Sequence, residues 1–343
     1  MRVVKGVLVS GVALTMAVAV AACGSSSTSG GGESTGAATS QAAELTTVGM
    51  GTQPWIGYGP WEIAKAQGFD KAHGIDLQLS TFTTDADVTS AFASNKIVAT
   101  NAASITVGRL LDKYPDQAIV LVEDISTSAD AIIAGPSVAS VADLKGKKVA
   151  YEEGSTSDLL LRYALGTAGL TMEDITAVPT PAANAGAALL SGGVDAAVTY
   201  EPYIAGTIAA NPDIKTIYTA NERPGLISDV LTVQGTWAKA NPKAVEGLLA
   251  AWNDSVKFLR DNPQQGQEII AKAIGANVAE LGSTFDGVQF FTVPESTEYL
   301  LGDFGPTSAE VVAILEAAGD PTAAGVDLMS VVDASYGQSV SGQ

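Results

Sequence analysis

The chain is poor in cysteine, histidine and arginine. One cysteine, Cys23, and one histidine, His73, stand in 343 residues. A disulfide within the chain is excluded, and a zinc site of ordinary His/Cys make-up has too few ligands, so no metal and no cofactor is expected. Beyond the first residues only Arg109, Arg162, Arg223 and Arg260 carry a guanidinium. Positive charge is scarce altogether: 18 Lys and Arg stand against 37 Asp and Glu, a formal net charge of -19. Such a chain repels phosphate backbones, so no nucleic-acid partner is expected. No P-loop, dinucleotide-binding glycine run or Gly-x-Ser-x-Gly element occurs. Apolar runs are short as well; Val7–Val20 is too short to span a bilayer comfortably.

What is present at the start has three parts. Arg2 and Lys5 give a positive end, Val7–Val20 is apolar, and Val20-Ala21-Ala22 precede Cys23. Gly24-Ser25-Ser26-Ser27 follow. This is the anatomy of a bacterial lipoprotein signal, with residues 1–22 as signal peptide and the Cys23 thiol as the acceptor of lipid. The alternative is a core cysteine on an ordinary N-terminal helix. Against it, residues 24–43 are nearly all Gly, Ser, Thr and Ala, and bury too little to offset their ordering entropy. Residues 23–44 are expected to be a flexible, lipidated tether. One acyl chain holds a protein marginally and two hold it firmly, so a palmitate-type diacyl anchor would fix the body to the extracytoplasmic face of the cell membrane. Without disulfides, that body depends on an ordinary core.

From residue 45 onward, short β-rich runs alternate with helical patterns, which predicts an α/β protein. Strands are expected near Leu45–Met50, Ile75–Leu79, Ile97–Thr100, Ile119–Glu123, Ala131–Ala134, Asp195–Tyr200, Thr216–Tyr218 and Val230–Val233, and after Gly146. Helices are expected over 58–67, 85–94, 105–112, 158–168, 182–191, 202–210 and 242–260. Two strand-rich stretches separated in sequence suggest two lobes with a cleft, where small molecules bind.

Several segments carry a resemblance. They are Trp55-Ile56-Gly57-Tyr58-Gly59-Pro60, Ala64-Lys65-Ala66-Gln67-Gly68-Phe69, Asp143-Leu144-Lys145-Gly146-Lys147-Lys148-Val149 and, most telling, the run from Gly193 to Pro202. In this order and spacing the body resembles the solute-binding proteins of ABC importers. More narrowly, it resembles the group that takes up nitrate, alkanesulfonates, taurine and thiamine-pyrimidine precursors. The resemblance implies a bilobal periplasmic-binding-protein-like fold of type II, two α/β lobes joined by two crossover strands. Lobe 1 would hold residues 45–133 plus 229–343 and lobe 2 residues 134–228. It implies a monomer that captures a small solute without chemistry and hands it to an ABC permease and its ATPase subunit. Where many relatives have a Gly-Glu-Leu-Asp-like loop, this chain has Ser94-Asn95-Lys96-Ile97-Val98.

The residues suggest where a solute would sit. Trp55 and Tyr58 follow the first strand, at the end where α/β sheets present ligands, and their faces can stack on a flat or cationic group. Packing in the core is the other role open to Trp55. Ser155, Thr156 and Ser157 open the 158–168 helix and can bind a polar group or merely cap it. Ser104, with Thr106, repeats the arrangement. Asp130, Glu201 and Asp229 fall at strand ends or lobe crossings, where a carboxylate enclosed by a cleft needs a partner. With so few arginines, a neutral or cationic nitrogen-containing solute is expected ahead of nitrate or an alkanesulfonate. An enzyme resembling a thiamine-pyrimidine synthase and a sensor that presents ligand to a receptor kinase are the remaining alternatives. Asp85 and Asp87 read as acids at a helix start, favoured by the dipole. His73 reads as an exposed turn residue.

Overall fold

A computed structural model describes residues 44–342 apart from Asp112 and Ser283. The signal peptide expected over 1–22, Cys23 and nearly all of the expected tether lie outside these residues. No helix among the described residues is long and apolar enough to cross a membrane.

Eleven strands are described: β1 (Thr46–Thr52), β2 (Ile75–Thr81), β3 (Ala99–Ala103), β4 (Gln117–Ser126), β5 (Asp130–Ala134), β6 (Lys148–Tyr151), β7 (Thr176–Pro179), β8 (Ala196–Tyr200), β9 (Lys215–Thr219), β10 (Ser228–Gln234) and β11 (Val288–Phe290). They form two sheets. One has the order β11-β4-β10-β3-β1-β2, the other β7-β6-β8-β5-β9. In the first, β2, β1 and β3 run parallel while β10 runs against β3 and β4. In the second, β7, β6 and β8 run parallel while β5 runs against β8 and β9. The chain passes between the sheets twice, at 127–129 and 220–227. Each passage delivers an antiparallel strand, β5 or β10, into the receiving sheet. β5 pairs in the second sheet although nearly all of it precedes the expected lobe boundary at residue 134.

Four of the strands inside the sheets, β3, β5, β8 and β10, are buried at every residue, and their runs of Ala, Val, Ile and Leu suit strands covered on both faces. Two edge strands, β7 and β11, escaped the sequence reading. β7 is largely exposed and β11 is three residues long, so neither shows the alternation that marks a half-buried strand. The helix expected over 105–112 is the single turn Ser104–Gly108. His73 lies in a turn, as expected, but is half-buried rather than exposed, and its Nε2 lies 2.7 Å from Asp254 Oδ2.

The longest helix, Pro242–Asp261, starts with Pro at its first turn and buries Val245, Leu248, Leu249, Trp252, Val256 and Leu259, a stripe of helical period. It lies on the helix Gly59–Gln67, which ends where Gly68 takes a φ of 75°. At this contact the rings of Trp61 and Trp252 sit 5.1 Å apart, and both side chains are fully buried. Each indole is also satisfied. Trp61 Nε1 donates to Glu123 Oε1 at 2.8 Å and Trp252 Nε1 to the Phe291 carbonyl at 2.8 Å. Replacing Trp252 with Ala leaves a large cavity and an unpartnered carbonyl. Its expected cost is about 3–5 kcal/mol, read as a lower urea midpoint with an unchanged slope. A loss within experimental error would show that this helix contact does not hold the first sheet's layer together.

Candidate functional site

The C-terminal ends of the parallel strands in both sheets point at one cavity. Gln53, Trp55 and Tyr58 follow β1, Asp85 follows β2 and Ala103 ends β3. From the other sheet, Glu152, Ser155 and Thr156 follow β6, and Tyr200 ends β8. The two antiparallel strands begin at the same place. Asp130 pairs with Tyr200 and Asp229 with Ala103, so both acids enter the lining from the crossings, with Ile227 beside them. This is the crevice position that open α/β sheets offer to ligands. The enclosed space is about 30 Å³, room for about two water molecules.

Of the nine binding residues expected from sequence, Trp55, Tyr58, Asp130, Ser155, Thr156 and Asp229 line this cavity. Ser104, Ser157 and Glu201 are buried beside it but do not line it. Ser104 opens a helical turn next to Ala103. Ser157 gives its backbone N–H to Ser155 Oγ at 3.1 Å, so Ser155 is a helix cap as well as a lining residue. Glu201 accepts the Ala205 N–H at 3.0 Å and thereby serves the start of the helix Tyr203–Ala210. Trp55 fills both roles considered for it, lining the cavity and packing in the core at 4% exposure.

Gln53, Asp85, Glu152 and Tyr200 were missed. Asp85 does stand at a helix start, but its carboxylate accepts from Thr106 Oγ1 at 2.8 Å and lines the cavity. A simple signal would have found Glu152 and Tyr200: each ends or immediately follows a strand whose C-terminal end faces the crevice.

Two contacts bridge the sheets at the cavity wall. The Asp85 N–H donates to Glu152 Oε1 at 3.2 Å, and the rings of Trp55 and Tyr200 meet edge to face at 5.6 Å. Glu152 Oε2 also accepts the Ala182 N–H at 2.9 Å.

The electrostatics are one-sided. Asp85, Asp130, Glu152 and Asp229 line the space, and no lysine or arginine does. The arginines are engaged elsewhere. Arg109 binds the Gly154 carbonyl and Asp320; Arg162 binds Asp158 and the Ala318 carbonyl. Arg223 pairs with Glu310 and Arg260 with Glu295. Burial raises the carboxyls of Asp85, Glu152 and Asp229 above the usual range, although Thr106 and the charge of Arg109 offset part of it at Asp85. Burial likewise pushes Asp130 up to about 7, aided by the negative charge of Glu201, and Glu201 up to about 7.

A model of the family described as NMT1/THI5 like matches residues 57–266. A Brucella abortus (strain 2308) protein named as a binding protein is 29% identical over 228 residues, 64% of this chain and 68% of its own. An Escherichia coli K12 protein named for binding aliphatic sulfonates is 28% identical over 232 residues, 65% of this chain and 69% of its own. Among solved structures, the alkanesulfonate-binding protein SsuA from Xanthomonas axonopodis pv. citri, bound to MOPS, superposes with a TM-score of 0.72 at 20% identity, over 85% of this chain and 99% of that one. The desulfurization enzyme DSZB superposes with a TM-score of 0.65 at 14% identity, over 87% and 99%. These structural likenesses establish the fold.

The raised acids give stability a definite pH dependence. Asp130 and Glu201 have ordinary values of 3.8 and 4.5 and folded values of about 7. Their contribution is fully present below the ordinary values and is lost as pH rises through about 7. Ligand-free protein is expected to melt at progressively lower temperature from about pH 5 to about pH 7, with a shallower fall in Asp130→Asn. A melting temperature that rises over this interval would mean that the carboxyls are ionised and paired.

Proposed function

The chain belongs to the NMT1/THI5-like family and has the periplasmic-binding-protein fold, and we propose that it is the solute-binding component of an ABC importer. It is held outside the cytoplasmic membrane by lipid on Cys23. It captures a small nitrogen-containing solute, cationic or neutral, between the lobes built on its two sheets. It then delivers the solute to the permease, which the ATPase subunit drives.

The observation that carries the solute class is a lining with four carboxyls and no lysine or arginine. An enclosed anion needs a donor-rich, cationic surround; an enclosed amine or amidine needs acceptors. The named E. coli and Xanthomonas proteins bind sulfonates, but a sulfonate in this cavity would face Asp85, Asp130 and Asp229 at close range. Trp55, Tyr58 and Tyr200 supply the aromatic faces that favour a cation further. The solute contributes the positive or N–H-bearing partner that the acids lack, and that pairing supplies the capture energy.

The two bridging contacts give capture its mechanism. A cavity of about 30 Å³ admits nothing larger than a few atoms, so the lobes part at the crossings 127–129 and 220–227 before a solute enters. Opening separates Asp85 from Glu152 and Trp55 from Tyr200. Closing around a solute restores these contacts and removes its remaining water.

An enzyme on this fold, as in DSZB, is the rival. A hydrolase or lyase reading needs an activated nucleophile or a proton-transfer pair. The described lining offers no cysteine or histidine as nucleophile, and the Ser155 hydroxyl donates to the Glu152 carbonyl at 2.8 Å. The raised carboxyls are the groups a proton-transfer reaction would use, so a turnover assay separates the two readings.

Native mass spectrometry of protein purified without refolding, followed by calorimetric titration, tests this reading. Methylammonium, guanidinium, aminopyrimidines, nitrate and alkanesulfonates make up the panel. Binding is expected among the amines, amidines or aminopyrimidines. For a cationic solute, Asp229→Asn is expected to cost about 2–5 kcal/mol, some thirtyfold or more in affinity. Tight binding of nitrate or alkanesulfonate, with none of the nitrogen bases, would overturn the solute class. Turnover of a bound candidate would overturn the transport reading.

A further inference from the structure

Behind the cavity lies a carboxyl that touches no solute. Asp124 sits on β4 opposite Asp229 on β10, a buried cross-strand pair at the crevice end of the first sheet, beside a register shift. The residue is fully buried, and neither of its carboxyl oxygens has a hydrogen-bond partner. The indole N–H of Trp55 faces Asp124 and Asp229 without a bond of good geometry to either. Gly57 makes this approach possible, because a side chain there would collide with both Trp55 Nε1 and Asp124 Oδ2.

Every charged group near the pair has the same sign. On its own strand is Glu123, bonded to Trp61. From β10 comes Asp229, from β5 Asp130 and from the helix Asp85–Ala93 Asp85. Tyr58 faces Asp229 as a donor, and Phe290 of β11, the other neighbour of Asp124, does not titrate. Two buried carboxylates opposite one another, with only acids among the charged groups beside them, cannot both ionise at neutral pH. Burial holds both well above the usual carboxylate range, aided at Asp124 by the negative charge of Asp229 and at Asp229 by that of Asp130.

We propose that Asp124 is the proton partner of Asp229: the ligand-free pair shares one proton, and a cationic solute arriving on Asp229 displaces that proton to solvent. This rests on the cationic branch of the function proposed above. The exchange balances, since one positive charge enters the site as one leaves it. Asp124 is a positioning residue. It sets the charge of Asp229 and never meets the solute. The titration belongs to the pair and to neither residue alone. A neutral solute would release no proton, so the pair also discriminates between the two solute charges left open.

The test has two arms, and the first needs no solute. Infrared spectra of ligand-free protein at neutral pH should show protonated-carboxyl absorption that diminishes in Asp124→Asn and in Asp229→Asn. Spectra unchanged in both variants overturn the proposal, and the Asp229 variant decides the point if Asp124→Asn does not fold. The second arm is calorimetry of methylammonium and guanidinium binding in buffers of different ionisation enthalpy. Wild-type protein should release about one proton, its affinity falling by up to about tenfold for each pH unit below neutrality, because protons compete with the cation. In Asp124→Asn the release should vanish and the profile flatten. Cation binding without proton release sinks the proton exchange and leaves the transport reading intact. Binding of nitrate or an alkanesulfonate alone sinks the cationic solute class, while the infrared arm still decides whether the pair holds a proton.

Discussion

The structure depends on burying, at and behind its crevice, carboxyls that no lysine or arginine pairs with. Asp124 and Glu123 are fully enclosed, and Asp130, Glu201 and Asp229 nearly so. A buried charge left alone is among the most expensive things a fold can contain, so these groups keep their protons or acquire a partner from outside. That unmet demand organises the site. It explains why guanidinium groups so few in number all point elsewhere, and why donors such as Tyr58 and Thr106 are ranged around the acids. In the proposed function, the solute would complete an arrangement that the protein alone leaves incomplete.

Topology brings the acids together. Parallel strands carry their C-terminal ends to one side of each sheet, and the two sheets turn those sides toward each other. The crossings add the rest. Because each crossing feeds an antiparallel strand, the first residues of β5 and β10 arrive at the same edge where the parallel strands finish. Asp130 and Asp229 therefore join the crevice from the segments about which the lobes would turn. A change in the angle between the lobes acts directly on the groups that would hold the solute.

Much of this was legible before the structure. The alternation of β-rich and helical runs located the interior strands, since strands covered on both faces read as unbroken apolar runs. The edges, β7 and β11, were silent because exposed or very short strands carry no alternation. Within the site, residue type identified Trp55, Tyr58, Asp130 and Asp229, for a large aromatic or an acid at a strand end needs an explanation. Asp85 was hidden by a commonplace role, because acids at helix starts are favoured whether or not they line a cavity. Glu201 and Ser157 illustrate the opposite failure. Neither lines the cavity: one carboxyl oxygen of Glu201 accepts the Ala205 N–H, while Ser157 Oγ is buried without a hydrogen-bond partner. Which way a polar side chain turns depends on the partners within reach, and those are set by contacts distant in sequence.

The edge-to-face meeting of Trp55 and Tyr200 has an optical side. An indole wedged against a phenol ring emits differently from one facing water. The seam between the halves would thus carry a built-in lamp. If the lobes part as proposed, its colour and brightness would report how far apart the jaws stand, with no dye attached.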